Sequence, residues 1–288
     1  MQTRTALEAV LDLEQIAGSN VFVGQPREGS KAGSTRTHLF GGLIAAQSVV
    51  AASRTVPDTH RIHSLHSYFI LAGDGRMPIL FRVEEIRNGG SFVTRQVLAT
   101  QENKTIFMMM ASFAKPEPGP EFQRTPEELV AVLDALLPAE GSVDKQGRRG
   151  NRRLMRLPQQ LIDDGQQLHY GNNNSDTASL ELFSGLNHSL SWRKHMGTVA
   201  ESRPGAPAWI MHAALLAYMS DEGLLSTVRQ PYATTPISMS TSLDHTIHFH
   251  RWEYLRSDEW LLFHNETTVS SGARGVARTQ VWISSEHF

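Results

Sequence analysis

The stretch "AWIMHAALLAYMSDEGLLSTV", residues 208–228, is an almost unbroken apolar run that ends in the polar residues Ser220, Asp221 and Glu222. A helix that is apolar on all sides is buried in a protein core. The run therefore predicts a central helix. Because a buried carboxylate is costly unless it is paired or hydrogen-bonded, Asp221 is either a helix-end residue facing water or a carboxylate held inside for chemistry.

A second stretch of the chain has the same plan. "THLFGGLIAAQSVVAASRTV", residues 37–56, is again apolar and nearly free of charge, and Gly41 and Gly42 near its start allow close backbone approach. Each of the two stretches is followed by strand-like runs rich in β-branched and aromatic residues, separated by turn signals. The chain is thus predicted to be an α+β protein with two helix-plus-meander repeats.

The two predicted repeats are separated by a segment rich in proline, glycine and charge. We predict an N-terminal repeat over residues 1–115, a linker over 116–160 and a C-terminal repeat over 161–288. Within the linker, "TPEELVAVLDALL", residues 125–137, has the capping pattern of one short helix.

The two meanders differ at their ends. In the first repeat "TRQVLAT" is followed by a turn and another strand-like run, "TIFMMMASF". In the second repeat the equivalent "RTQVWIS" is followed only by "SEHF". We therefore expect the second meander to lack its last strand, which leaves unpaired backbone groups at a sheet edge.

Composition excludes several function classes. The chain of 288 residues has no cysteine, which rules out disulfides, thiolate nucleophiles and cysteine-type zinc sites. A formal net charge of -2 gives no reason to expect a nucleic-acid partner. No apolar run is long enough for a membrane span, and the N-terminus lacks the pattern of a signal peptide. We expect a cytoplasmic protein; a peroxisomal location stays open, although "SSEHF" is not a peroxisomal address.

Nine motifs, in register along nearly the whole chain, resemble the acyl-CoA thioesterase II family. They are "FVGQ", "LFGGLIAAQSVVAA", "HSLHSYFILAGD", "IRNGGSFVTRQVLATQ", "MMASF", "LAYMSDEGLL", "LDHTIHFHR", "EWLLF" and "SSGARGVAR". The resemblance implies a double hotdog, in which one continuous sheet wraps around two central helices. By analogy of fold it also implies a homo-oligomer.

The resemblance further implies hydrolysis of acyl-CoA to a free fatty acid and CoA, without a cofactor. In this family an Asp, a Thr or Ser, and a Gln orient the attacking water. The Asp position matches Asp221, and the hydroxyl position falls on Ser242, with the neighbouring Thr241 left open. The Gln position lies in the strand that we expect to be missing. Gly41, Gly42, Gln47 and His66 are the substrate-binding residues that the resemblance suggests.

The residue types suit this chemistry independently of the family. Without a thiol nucleophile, thioester hydrolysis needs an activated water, and a carboxylate within hydrogen-bond reach can take its proton. A hydroxyl can hold the water in line with the carbonyl carbon, and backbone N–H groups at a helix N-terminus can polarise the carbonyl oxygen. Asp221 and Ser242 supply two of the three side chains that the family uses.

Other chemistry-bearing residues favour plainer interpretations. His245, His248 and His250 with Asp244 could in principle hold zinc, but strand alternation puts His245 on the opposite face, so no metal is predicted. The strand arginines could meet CoA phosphates, but exposed solubilising residues are the favoured interpretation; they are Arg87, Arg95, Arg274 and Arg278.

The sequence is compatible with three functions. The first is an acyl-CoA thioesterase that releases fatty acid and CoA. The second is a truncated, weakly active or inactive homologue that binds acyl-CoA or serves as an assembly subunit. The third, a hotdog dehydratase, would need a catalytic histidine or acid pair on the helix, for which His212 is poorly placed.

Overall fold

The computed structural model describes residues 5–25, 38–120, 122, 169–170, 176–185, 187–199 and 207–283. Nearly all of the predicted linker, including its helix over 125–137, lies outside the described residues. The division into 1–115, 116–160 and 161–288 therefore stays a prediction.

The first half contains one long helix followed by an antiparallel meander, as predicted. A short helix precedes it, with a capping box in which Thr5 and Glu8 satisfy each other's backbone N–H groups. The elements are α1 (Ala6–Leu11), β1 (Glu14–Gln15), β2 (Val21–Gly24), α2 (Gly41–Ser53), β3 (Arg61–Phe69), β4 (Ile79–Asn88), β5 (Phe92–Gln101) and β6 (Lys104–Ala114).

The turn between β5 and β6 shows why the sequence forms a tight hairpin there. Glu102 and Asn103 both have positive φ, 47° and 61°. Two consecutive residues of this kind match the right-handed twist of the flanking strands, and Asn tolerates the conformation. The hairpin fixes the register of β6, whose alternate residues then enter the core.

The second half repeats this order. Its elements are β7 (His169–Tyr170), β8 (Thr177–Gly185), β9 (His188–His195), α3 (Ala208–Ser220), α4 (Leu224–Arg229), β10 (Asp244–His248), β11 (Leu261–Ser271) and β12 (Arg274–Ile283). By position, β9, β10, β11 and β12 correspond to β2, β3, β4 and β5. The two repeats of a helix and an antiparallel meander are thus present.

The two central helices, α2 and α3, pack against each other in the core. Almost every residue of both helices is buried, which explains why neither sequence has a polar face. The contact is close at Gly42, where a Cβ would lie 2.5 Å from the carbonyl oxygen of Tyr218. Only glycine leaves room for this approach. Next to it, Phe40 and Tyr218 form an edge-to-face ring pair with centroids 5.0 Å apart.

The sheet differs in one detail from the prediction. The described strands form two sheets, ordered β1-β2-β4-β5-β6-β3-β10 and β12-β11-β9-β8-β7, rather than one continuous sheet. Strand β10 belongs to the second half but pairs antiparallel with β3 of the first, with His245 opposite Ser67. This strand is therefore the part of the second half that belongs to the first sheet.

The place where the sheets separate follows from the repeat. In the first half β6 lies between β5 and β3. Their counterparts in the second half are β12 and β10, and among the described residues no strand lies between these two. The first sheet therefore ends at β10 and the second at β12. In the same part of the chain, no helix has the length and apolar character needed to cross a membrane.

We predict that Gly42→Ala destabilises the protein although alanine is the better helix former. The added methyl would meet the Tyr218 carbonyl, and overpacking of this kind costs about 1–3 kcal/mol. Gly90→Ala is the control, because nothing lies within 4 Å of its Cβ position. Thermal unfolding of the two variants should show a lower midpoint for Gly42→Ala only. Equal midpoints would contradict the close helix contact.

Candidate active site

The end of α3 places Asp221 against the start of α2. Asp221 is the C-cap residue of α3, and its carboxylate accepts a hydrogen bond from the backbone N–H of Gly42, in the first turn of α2. The N-cap residue Phe40 makes no side-chain hydrogen bond to the first turn of α2. The carboxylate of Asp221 thus takes the capping role from another helix, at the positive end of the α2 dipole.

Ser242, which lies two residues before β10, is the third member of this contact. Its Oγ donates to Oδ1 of Asp221 at 3.3 Å. The neighbouring Thr241 is exposed, and its hydroxyl points to the carbonyl of Ser242 at 3.4 Å. Of the two hydroxyls left open by the sequence, the structure brings Ser242 to Asp221 and not Thr241.

Gly41 makes room for the carboxylate. A Cβ at Gly41 would lie 2.7 Å from Oδ2 of Asp221 and 2.9 Å from the ring of Phe69. Gly42 provides the N–H and the close approach to α3. Both glycines that were predicted for substrate binding are therefore adjacent to Asp221.

Burial raises the pKa of the Asp221 carboxyl above its ordinary value of 3.8, because water is removed from around the charged form. His245, the Gly42 N–H and the Ser242 hydroxyl act in the opposite direction, in that order. The raised pKa shows that desolvation outweighs these partners. A carboxyl with a raised pKa is a stronger base once it is ionised, which suits a group that must take a proton from water.

His245 is a member of the site that the sequence pointed to only as a zinc ligand, an interpretation that was not favoured. Its Nε2 lies 2.9 Å from Oγ of Ser220, the residue directly before Asp221. Its side chain is buried, whereas Asp244 and Thr246, which flank it on the strand, are exposed. Strand alternation placed His245 on the face opposite to His248, but nothing in the local sequence indicates that the imidazole meets the end of α3.

Arg193 is the second missed residue. Its guanidinium donates to the carbonyl oxygens of Met219 and Glu222, at 3.1 and 2.6 Å, on either side of Asp221 in sequence. It lies over the ring of Phe263 at 4.8 Å and is almost fully buried. Arg193 thus fixes the turn that carries Asp221 and caps the negative end of α3. One arginine in a strand gives no sequence signal for this role.

Gln47 and His66 are not brought to Asp221. Gln47 is fully buried in α2, where its Nε2 donates to the carbonyl oxygens of Val10 at 2.8 Å and Gln25 at 3.1 Å. It ties α2 to the first segment of the chain. His66 is exposed on the outer face of the first sheet, with Nδ1 3.3 Å from the hydroxyl of Thr246.

The remaining candidates are the possible metal ligands and the strand arginines. Within the described ranges, no three His, Asp or Glu side chains are placed together to hold a metal ion. Arg87, Arg274 and Arg278 are exposed, as favoured from the sequence. For Arg95 that interpretation is wrong: it is 1% exposed, and its guanidinium donates to the hydroxyl and carbonyl of Thr55, at 2.9 and 2.8 Å.

Comparison with solved structures defines the class of protein. The chain is similar to a conserved protein of unknown function with a hotdog fold from Alicyclobacillus acidocaldarius, with a TM-score of 0.67 at 15% identity, over 97% of this chain and 92% of that one. It is also similar to acyl-CoA thioesterase II TesB2 from Mycobacterium marinum, with a TM-score of 0.66 at 28% identity, over 97% and 91%. The double-hotdog class is confirmed.

Comparison of sequences gives the family. Residues 30–114 match the model of the acyl-CoA thioesterase N-terminal domain, and residues 162–287 match that of acyl-CoA thioesterase. The chain is 32% identical over 255 residues to acyl-coenzyme A thioesterase 8 of Mus musculus, covering 86% of this chain and 76% of that protein. The chain belongs to the acyl-CoA thioesterase family, as its motifs predicted.

We predict that Arg193→Met lowers the free energy of unfolding by about 2–4 kcal/mol, because it leaves two carbonyls at the end of α3 without their charged donor. Arg82→Met, on the exposed side of β4, is the matched control and should change stability little. Chemical denaturation measures both. An equal loss of unfolding free energy in the two variants would show that Arg193 does not stabilise the end of α3.

Proposed function

We propose that this chain hydrolyses acyl-CoA thioesters to a free fatty acid and CoA. The observation that carries the proposal is the Asp221 carboxylate, held at the N-terminus of α2 and hydrogen-bonded by Ser242. It is supported by membership of a family whose mouse relative is named acyl-coenzyme A thioesterase 8. Asp221 is the proposed base, and Ser242 orients the water.

The proposed reaction needs no covalent enzyme intermediate. Asp221 takes a proton from water while the water oxygen bonds to the thioester carbonyl carbon, and the carbonyl electron pair moves onto oxygen. The carbonyl then re-forms, the carbon–sulfur bond breaks, and the departing CoA sulfur takes the proton from Asp221. The positioned water and base convert a bimolecular attack into a step within one complex.

The amide that the family uses as a third partner has no counterpart among the described residues. A single water- or oxyanion-orienting contact is worth about 2–4 kcal/mol, or roughly a hundredfold or more in rate. Slow turnover, or acyl-CoA binding without turnover, is therefore the second candidate function. Acyl-CoA is the proposed ligand in either case; the cytoplasmic location and the homo-oligomer stay predictions.

We expect Asp221→Asn to lower kcat/KM for acyl-CoA hydrolysis by about 10²–10⁴-fold, since the amide cannot accept the proton. CoA release is followed with a thiol reagent, for which the absence of cysteine in the chain gives a low background. Glu222→Gln, at the neighbouring carboxylate, is the control and should retain most activity. If wild type and Asp221→Asn release CoA equally slowly, hydrolysis at this site is wrong, and tight acyl-CoA binding would then favour the second candidate.

Ser242 should be replaceable by threonine but not by alanine. Ser242→Ala removes the hydroxyl next to Asp221 and should cost roughly tenfold to a hundredfold in kcat, whereas Ser242→Thr keeps the hydroxyl and most of the rate. Thr241→Ala, at the exposed neighbour, should leave kcat unchanged. A loss at Thr241 with none at Ser242 would reassign the hydroxyl.

A further inference from the structure

We propose that His245 is a positioning residue for Asp221: its imidazole binds Ser220 and thereby holds the end of α3, which carries the neighbouring carboxylate. This inference rests on the proposed role of Asp221 as the base.

The hydrogen bonds of Ser220 define the state of the imidazole. The Ser220 hydroxyl donates its single proton to the carbonyl oxygen of Ala217, at 3.0 Å. Toward His245, 2.9 Å away, it can therefore only accept, so Nε2 of His245 carries a hydrogen and donates. A neutral His245 then has its lone pair on Nδ1. The imidazole is thereby fixed in one tautomer by the residue next to Asp221.

The backbone of His245 is fixed as well. Its carbonyl oxygen accepts a hydrogen bond from the Ser67 hydroxyl at 2.8 Å, and His245 is paired with Ser67 across β10 and β3. His245 and Ser220 are each about 7% exposed. A rigid, desolvated histidine on β10 thus meets the end of α3, and this contact joins the element that carries Ser242 to the element that carries Asp221.

His245 and Asp221 also interact electrostatically. Burial lowers the pKa of His245, and Asp221 raises it; burial raises the pKa of Asp221, and His245 lowers it. Asp244 on β10 is a further acidic group that acts on His245. Around the turn after α3 the charged groups are Arg193 from β9 and Glu222, and the N-terminus of α2 adds the Gly42 N–H.

The opposing pKa shifts of His245 and Asp221 determine how the loss of the imidazole changes the pH profile. As the pH falls, a proton taken up by the imidazole leaves a positive charge that favours the ionised carboxylate. Without a titratable group at position 245, Asp221 loses this partner while its burial is unchanged. The pKa of Asp221 then rises further, and the base is lost at a higher pH. The acidic limb of the kcat/KM profile should move upward.

His245→Gln tests this, because glutamine can keep a donor toward Ser220 while it removes the titratable group. The pH profile of kcat/KM is measured by CoA release for wild type, His245→Gln and the control His248→Gln. His248 lies on the same strand but is exposed on the opposite face. We expect the acidic limb of His245→Gln to move up by about 0.5–1 pH unit and no shift for His248→Gln.

The outcomes separate this inference from the proposed function. If wild-type hydrolysis depends on Asp221 but the profile of His245→Gln overlies that of wild type, the inference is overturned and the proposed function stands. If wild-type hydrolysis does not depend on Asp221, both fail. Should thermal unfolding show that His245→Gln does not fold, Ser220→Ala removes the hydroxyl that orients the imidazole. That variant should also shift the limb upward, and an unshifted limb overturns the inference.

Discussion

The contact between the end of α3 and the start of α2 determines the arrangement of the candidate site. A carboxylate at a helix N-terminus gains about 0.3–1 kcal/mol, and up to about 2 kcal/mol when partly buried. A hydrogen bond to a charged group contributes about 1.5–3 kcal/mol. The Gly42 N–H and the Ser242 hydroxyl supply such bonds, yet the pKa of Asp221 is raised, so the cost of desolvation is only partly offset. Two glycines and a close helix packing are needed to reach this balance.

The same contact explains why the two repeats are not equivalent. Both central helices are 13 residues long, and the residue that follows is Arg54 after α2 but Asp221 after α3. Arg54 donates to the carbonyl of Leu13 and the carboxylate of Asp12, so that helix end is tied to the first segment of the chain. The repeat therefore has, within its described residues, one helix end with a carboxylate suited to activating water and one with a structural ion pair.

Much of this arrangement was predictable from the sequence, and the remainder was not for identifiable reasons. Apolar helices without a polar face and hairpin turns are local signals, and they predicted the fold class. The pairing of Asp221 with Ser242 was predicted only through the resemblance to the family, because no local signal links a helix end to a residue 21 positions later. Gln47 also lies in an apolar helix, but its partners are backbone carbonyls from segments distant in sequence. Arg193 and His245 act through similar long-range contacts, for which one sequence contains no periodicity or spacing to read.

The candidate site is composed of both halves at once. The first half contributes the start of α2, and the second contributes Asp221 on α3 and Ser242 just before β10. Strand β10 is held by β3, a first-half strand, through its paired backbone and through the Ser67 hydroxyl. Among the described strands it is not paired with any strand of the second sheet. The position of Ser242 and His245 relative to Asp221 therefore depends on the first sheet, so a separated C-terminal half would keep the side chains of the site but lose both the N–H that binds the carboxylate and the strand that holds β10 in register.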